Sequence, residues 1–244
     1  MDSRILILTL SEWLGVVAVL MLAGLSPRLN VPPVGFKYPR REGIVALSLF
    51  GLILVTKSLL AAGALNAAIA ENLRGGGLDA RLLVAGLGLA PFLLALLIRR
   101  QPPRSAGWYA KALGGAVRVG LVLAALTIIL RSKALTIFDG ISPEEARSLL
   151  FLLGVCLAEE TVFRGYIQLR LSSWWGGRWG LLAVALLSLA WEWPLLMATQ
   201  QGIALNLALT ALRFLLLGWI AQKSKHVIAP ILYRAISEWL FLLR

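Results

Sequence analysis

The amino-acid sequence predicts an all-α polytopic membrane protein, about eight transmembrane helices in one bundle, and three observations carry that expectation. The mean hydropathy is +0.82 and 59% of residues are hydrophobic, a composition of bilayer-spanning chains and not of soluble domains. The 244 residues hold about eight spans of roughly 20 residues each, with little left for a soluble domain. Short breaks rich in Pro, Gly and Arg punctuate the apolar stretches.

In order along the chain, spans are expected near 5–25, 44–68, 82–98, 109–130, 148–170, 179–198, 203–221 and 228–243. Only Met1 to Arg4 precede the first, and no small-residue cleavage site follows it, so it reads as a retained span and not a removed signal peptide. Pro27, Pro32, Pro33 and Pro39 fill the first break, Gly75-Gly76-Gly77 the second and Pro102-Pro103 the third. Ser142-Pro143-Glu144-Glu145 is a helix start: Ser142 as N-cap, Pro143 at the first helical position, Glu145 completing a capping box. Trp174-Trp175-Gly176-Gly177-Arg178-Trp179 reads as an interfacial turn with its indoles at headgroup level.

The net charge of +12 does not point to nucleic acid. Within the expected spans Glu12, Glu159, Glu160, Glu192 and Glu238 balance Lys57, Arg118, Arg164, Arg213 and Arg234, so the excess lies in loops. Basic loops orient a membrane protein and touch anionic lipid, which makes the bilayer surface the expected partner. Twelve basic residues, Arg170 among them, fall in the odd-numbered loops and seven, Arg81 among them, on the other side. The positive-inside rule then puts the odd loops in the cytoplasm and both termini outside. The single cysteine, Cys156, excludes an internal disulfide; it reads as a small buried core residue, since no imidazole stands ready to activate it. The single histidine, His226, is expected to be exposed or lipid-facing, and leaves no His-based metal site. Four acids without a histidine could hold a hard cation, but Arg164 and Arg234 compete for them, so neither metal nor cofactor is expected.

The stretch from Glu159 to Tyr166 puts three ionisable side chains inside an otherwise apolar segment. Charges at such depth are costly and, where present, usually face the protein interior and mark function. Glu160 and Arg164 stand four apart, acid first, the favourable order for a helical ion pair. Glu159 lies about 100° further round the helix and is not used up by that pair. Glu-Glu-x-x-x-Arg followed by Phe163-Arg164-Gly165-Tyr166-Ile167-Gln168 resembles the first motif of the CAAX protease and bacteriocin-processing family, the intramembrane glutamate proteases that include the type II CAAX prenyl endopeptidases. The resemblance covers roughly residues 115–243 and implies a CAAX-protease-like transmembrane core over residues 115–244, preceded by N-terminal transmembrane helices over 1–114. In that family a second motif on the next span is often Trp-His-x-Pro; here it reads Trp191-Glu192-Trp193-Pro194, with Glu192 in place of the histidine. A third, typically Pro-x-x-x-His-Ala-x-x-Asn, meets Pro230 to Glu238, with Arg234 for histidine and Glu238 for asparagine.

The resemblance implies Glu159 as the base that activates a water, and Glu160–Arg164 as its brace. It also implies residence in a plasma membrane of prokaryotic type. The departures bear on that chemistry. Glu192 cannot donate as an imidazolium, and Glu238 puts an anion where a developing oxyanion needs a donor. Arg234 could serve an oxyanion or neutralise Glu192 or Glu238, and unpaired intramembrane carboxylates favour the second. Glu159, Glu160, Arg164, Glu192, Arg234 and Glu238 are expected to meet in one polar cavity. Two functions stay open: a non-catalytic descendant acting as subunit or assembly factor of a membrane complex, and an endopeptidase that cleaves prenylated or small membrane peptides.

Overall fold

A computed structural model describes residues 3–24, 34–74, 77–196 and 203–243. Pro27, Pro32, Pro33, Gly75 and Gly76 lie outside the described residues, and of Pro194 the backbone alone is described. Everything regular among the described residues is helical: α1 (Ser3–Ala23), α2 (Pro39–Ala61), α3 (Ala67–Arg74), α4 (Leu78–Ile98), α5 (Ala110–Leu130), α6 (Ala134–Phe138), α7 (Pro143–Glu160), α8 (Gln168–Trp175), α9 (Gly177–Leu196), α10 (Ile203–Ser224) and α11 (Ile228–Trp239). A 3-10 turn spans Pro103–Ala106, and a π-helical segment, Thr161–Ile167, joins α7 to α8.

The helix boundaries follow from local chemistry. Pro143 and the reciprocal Ser142–Glu145 capping box start α7, with the Ser142 amide bonded to the Glu145 carboxylate at 2.9 Å. The second apolar stretch is shorter than expected: α2 ends at Ala61, where Gly63 turns to φ +82°, and α3 follows as a separate short helix. By contrast the fifth is longer, running as unbroken helix from Pro143 to Trp175 through the π segment.

Among the described residues, four stretches are long and apolar enough to cross a bilayer: Pro39–Ala61, Leu78–Ile98, Pro103–Leu130 (the 3-10 turn with α5) and Leu205–Ser224. Large apolar side chains such as Leu97, Ile98, Ile129 and Leu186 stand exposed on the outside, the surface expected of an integral membrane protein facing lipid tails. Inside, Phe50, Phe92, Phe163, Tyr166 and Trp191 pack α2, α4, the π segment and α9 together. A second core, with Val16, Leu123, Phe214, Leu217 and Tyr233, joins α1, α5, α10 and α11. α7 packs against α4 on one side and α11 on another, which sets the ends of three charged helices face to face.

The π segment is held by the loop ahead of α5. A Cβ at Gly165 would collide with the Ala106 carbonyl, and Gly107, at φ +81°, closes against the Gly165 backbone. The Trp108 indole N–H donates to Thr161 Oγ1 at 3.2 Å. No side chain fits at Gly165, so this contact sets the depth at which Glu159 and Glu160 sit. Widened π turns of this kind recur at functional positions.

Candidate functional site

Arg234 is the centre of the site. It projects from α11 toward the last turn of α7 and meets three carboxylates at once. Its Nη1 donates to Glu160 Oε1 at 2.8 Å, and its Nε donates to Glu238 Oε1, one turn along the same helix, at 2.8 Å. Its Nη2 lies 2.6 Å from Glu159 Oε2 as an ion pair. One planar guanidinium, with five N–H groups in a fixed fork, thus serves three anions.

The outer ring of the network is cationic. Arg164 Nε lies 3.2 Å from Glu160 Oε2, and Arg164 Nη1 donates to Ser188 Oγ on α9 at 2.8 Å. Arg81 on α4 donates to Glu238 Oε2 at 3.0 Å, and Arg213 on α10 lies 3.5 Å from Glu238 Oε1. The second oxygen of Glu159 accepts the indole N–H of Trp191 at 2.9 Å. Glu159, Glu160, Arg164 and Arg234 are all buried. Removing such charges from water is expensive, and only close, well-bonded partners on every side offset the loss.

Five of the six residues singled out from the sequence are therefore in one network, and Glu192 is not bonded into it. Arg234 does not neutralise Glu192, because its fork is filled by Glu159, Glu160 and Glu238. Glu192 follows Trp191 by about 100° around α9. Trp191 turns to Glu159, while Glu192 turns to α2 and comes 4.0 Å from Lys57 Nζ. That ammonium also stands 4.1 Å over the Trp191 ring, so Lys57 and the indole link Glu192 to the network.

Lys57 and Arg213, mid-span charges with no partner nearby in sequence, acquire theirs here. Two residues expected in loops prove to be structural. Arg81 belongs to α4 and pairs with Glu238. Arg170 is wholly buried on α8, donating to the carbonyls of Ser105 at 2.9 Å and Tyr166 at 3.0 Å and to Glu42 at 3.2 Å. A Tyr four residues before an Arg was the available hint: the guanidinium lies 3.3 Å from the centre of the Tyr166 ring.

His226 also departs from expectation. It is buried, not exposed, because its Nδ1 accepts the Ile228 N–H at 3.0 Å and so caps the start of α11, with the Trp108 ring edge-on at 5.3 Å. Burial pushes its imidazole down to about 4, so the ring is neutral at physiological pH. Cys156 is fully buried against Val227, Ile231 and Ala235.

The arrangement limits what the site can do chemically. Both oxygens of Glu159 already have a partner, Trp191 and Arg234, so a water accepted there would share an oxygen with one of them. An oxyanion needs donors aimed at it, whereas Arg234 donates to Glu160 and Glu238 and turns its Nη2, which makes no hydrogen bond among the described residues, against Glu159. Its guanidinium also occupies the point among those anions where a hard cation would have to sit. A cavity of about 710 Å³ between α4, α7 and α11 reaches Glu238 and Arg81 from outside.

Residues 144–240 match the family described as type II CAAX prenyl endopeptidase, Rce1-like, a segment that contains every member of the network except Arg81. No curated protein and no solved structure matches the chain.

Proposed function

We propose, from the likeness of residues 144–240 to type II CAAX prenyl endopeptidases, that this chain is a non-catalytic descendant of that fold. In this reading it is an eight-span protein of a prokaryotic plasma membrane, both termini outside, serving as a subunit or assembly factor of a membrane complex. The observation that carries it is the three-way engagement of Arg234 by Glu159, Glu160 and Glu238. The family base, its brace and the replaced third motif are joined into one ion-paired joint between α7 and α11. Such a joint keeps two helices in register, and it commits the groups that hydrolysis would need to move.

The endopeptidase reading keeps one observation in its favour: Glu159, Glu160 and Arg164 retain the family spacing, and the Glu160–Arg164 pair is formed. Its mechanism would have to seat a water on a Glu159 oxygen already held by Trp191 or Arg234, and then find an oxyanion donor beside a guanidinium that faces three carboxylates. That donor is missing from the third motif, where Glu238 stands for asparagine.

The chain in liposomes, incubated with a farnesylated CAAX peptide and with a library of membrane peptides, is expected to cleave neither. Glu159→Gln is near-isosteric and removes the base alone, so any stoichiometric partner that co-purifies with the natural chain is expected to stay bound. Cleavage by the natural chain that falls about 10²–10⁴-fold in Glu159→Gln would overturn the non-catalytic reading.

A further inference from the structure

Beyond Arg164, on the side of the π segment away from Glu159, a cavity of about 490 Å³ opens between α8, the end of α10 and the loop into α11. It shares Arg164 with the network, but its remaining polar lining is chemically distinct. Gln168, almost fully buried, lines it; the side-chain Nε2 donates to the Gly218 carbonyl at 2.9 Å, while Oε1 has no partner among the described residues. The buried Ser172 Oγ, in the same lining, is likewise without one among the described residues. Buried polar atoms normally find a hydrogen bond in the protein or in a bound molecule. His226 lines the cavity too, and because its Nδ1 accepts from Ile228, the hydrogen of its neutral ring is on Nε2, a donor with no partner among the described residues. Arg104 and Lys225 are both exposed and bring two cations to the rim.

An anion at the rim and a hydroxyl donor further in would complete this lining. The volume suits a small headgroup and is within the range of ligand-binding clefts. A lipid is the source favoured by the neighbouring surface. On α9 and α10, whose ends also wall the cavity, a second cavity of about 680 Å³ is lined by Trp175, Trp179, Leu182, Leu186 and Leu215 and is almost wholly apolar. We propose that the polar cavity binds the glycerophosphate headgroup of an anionic phospholipid, its phosphate between Arg104 and Lys225 and a glycerol hydroxyl donating to Gln168 Oε1.

Native mass spectrometry of the delipidated full chain in detergent, titrated with palmitoyl-oleoyl phosphatidylglycerol, tests this. One lipid per chain is expected to bind in preference to phosphatidylcholine of the same chains, which has the phosphate but no hydroxyl donor and no net charge. The double variant Arg104→Gln with Lys225→Gln, confined to exposed side chains, is expected to weaken phosphatidylglycerol at least about tenfold, given the usual contribution of each basic residue at an anionic headgroup. Arg178→Gln with Lys223→Gln, which removes two exposed charges outside the cavity, is expected to leave binding within about twofold. Equal loss in the two double variants would reduce the effect to diffuse surface attraction and overturn the site. Equal binding of the two lipids would do the same. Free glycerol 3-phosphate displacing the lipid at comparable concentration would assign the cavity to a soluble phosphate ester and overturn the lipid.

Discussion

Helix α11 carries two polar stripes side by side, and they solve the burial of carboxylates in different ways. Arg234 and Glu238 face α7 and α4, where one guanidinium holds three carboxylates. Tyr233 and Ser237, one position earlier in each case, face α1 and α5. There Glu12, fully buried, accepts from the Tyr233 hydroxyl at 2.8 Å and from Ser237 Oγ at 3.2 Å, and Arg131 Nε donates to it at 2.8 Å. In the second stripe one anion has one cation and two hydroxyls, and each donor can be lost with the others still in place. In the first, charge balance is shared through a hub, and Arg81, Arg164 and Arg213 at the edge cannot take its place. Redundancy around a single charge tolerates loss; a hub among several charges does not.

The largest effect should come from removing the hub. Arg234→Met leaves three carboxylates at membrane depth with a cation withdrawn from each, and should cost at least about 3–5 kcal/mol, enough to prevent recovery of folded protein. Arg131→Met also takes the cation from a buried carboxylate and should cost about 3 kcal/mol, less than the hub because Tyr233 and Ser237 still donate to Glu12. Melting midpoints in detergent compare the two, and equal losses would break the contrast between the stripes.

A middle-sized effect sharpens it from the edge of the hub. Arg164→Ala removes one partner of Glu160 but leaves the bond from Arg234, so its cost should be about 2–3 kcal/mol. That falls below Arg234→Met and above Cys156→Ala, at about 1 kcal/mol for a small change in an apolar pocket. A midpoint for Arg164→Ala equal to that of Cys156→Ala would mean the edge contributes nothing to the hub.

The effect that is smallest at neutral pH lies away from both stripes, where α11 begins. The His226 imidazole is pushed down to about 4 by burial, against about 6.5 in an unfolded chain. Between those values the unfolded state binds the proton and the folded state does not, so stability present above pH 6.5 is lost as pH falls toward 4. Protonation would also end the acceptance of the Ile228 N–H. His226→Asn, which keeps an acceptor without the titration, should flatten the fall in melting midpoint over that window. An unchanged slope would show that carboxylates alone set the acid limit.

How much was legible beforehand divides along physical lines. The Ser142–Glu145 capping box and the Glu160–Arg164 pair are contacts across three and four residues, so the sequence contains both partners and the geometry that joins them. Burial of Cys156 follows from its apolar neighbours. The bonds of Arg234 with Glu160 and of Tyr233 with Glu12 join residues 74 and 221 positions apart, and depend on how each helix is rotated about its axis. That rotation decided that Trp191 meets Glu159 while the adjacent Glu192 goes to Lys57. It also turned Arg170 and His226 inward, from segments that read as basic loops.

By itself, then, the sequence determined that the chain is helical and apolar, where α7 starts, and that Glu159, Glu160 and Arg164 share a buried stretch, because period, capping and hydropathy act over a few residues. Only the tertiary structure decided that Arg234 meets three carboxylates, that Lys57 and Arg213 have partners, and that Gln168 keeps an oxygen beside a cavity with no partner among the described residues. Those outcomes depend on side chains of helices brought together by packing, and local sequence does not encode which faces will meet.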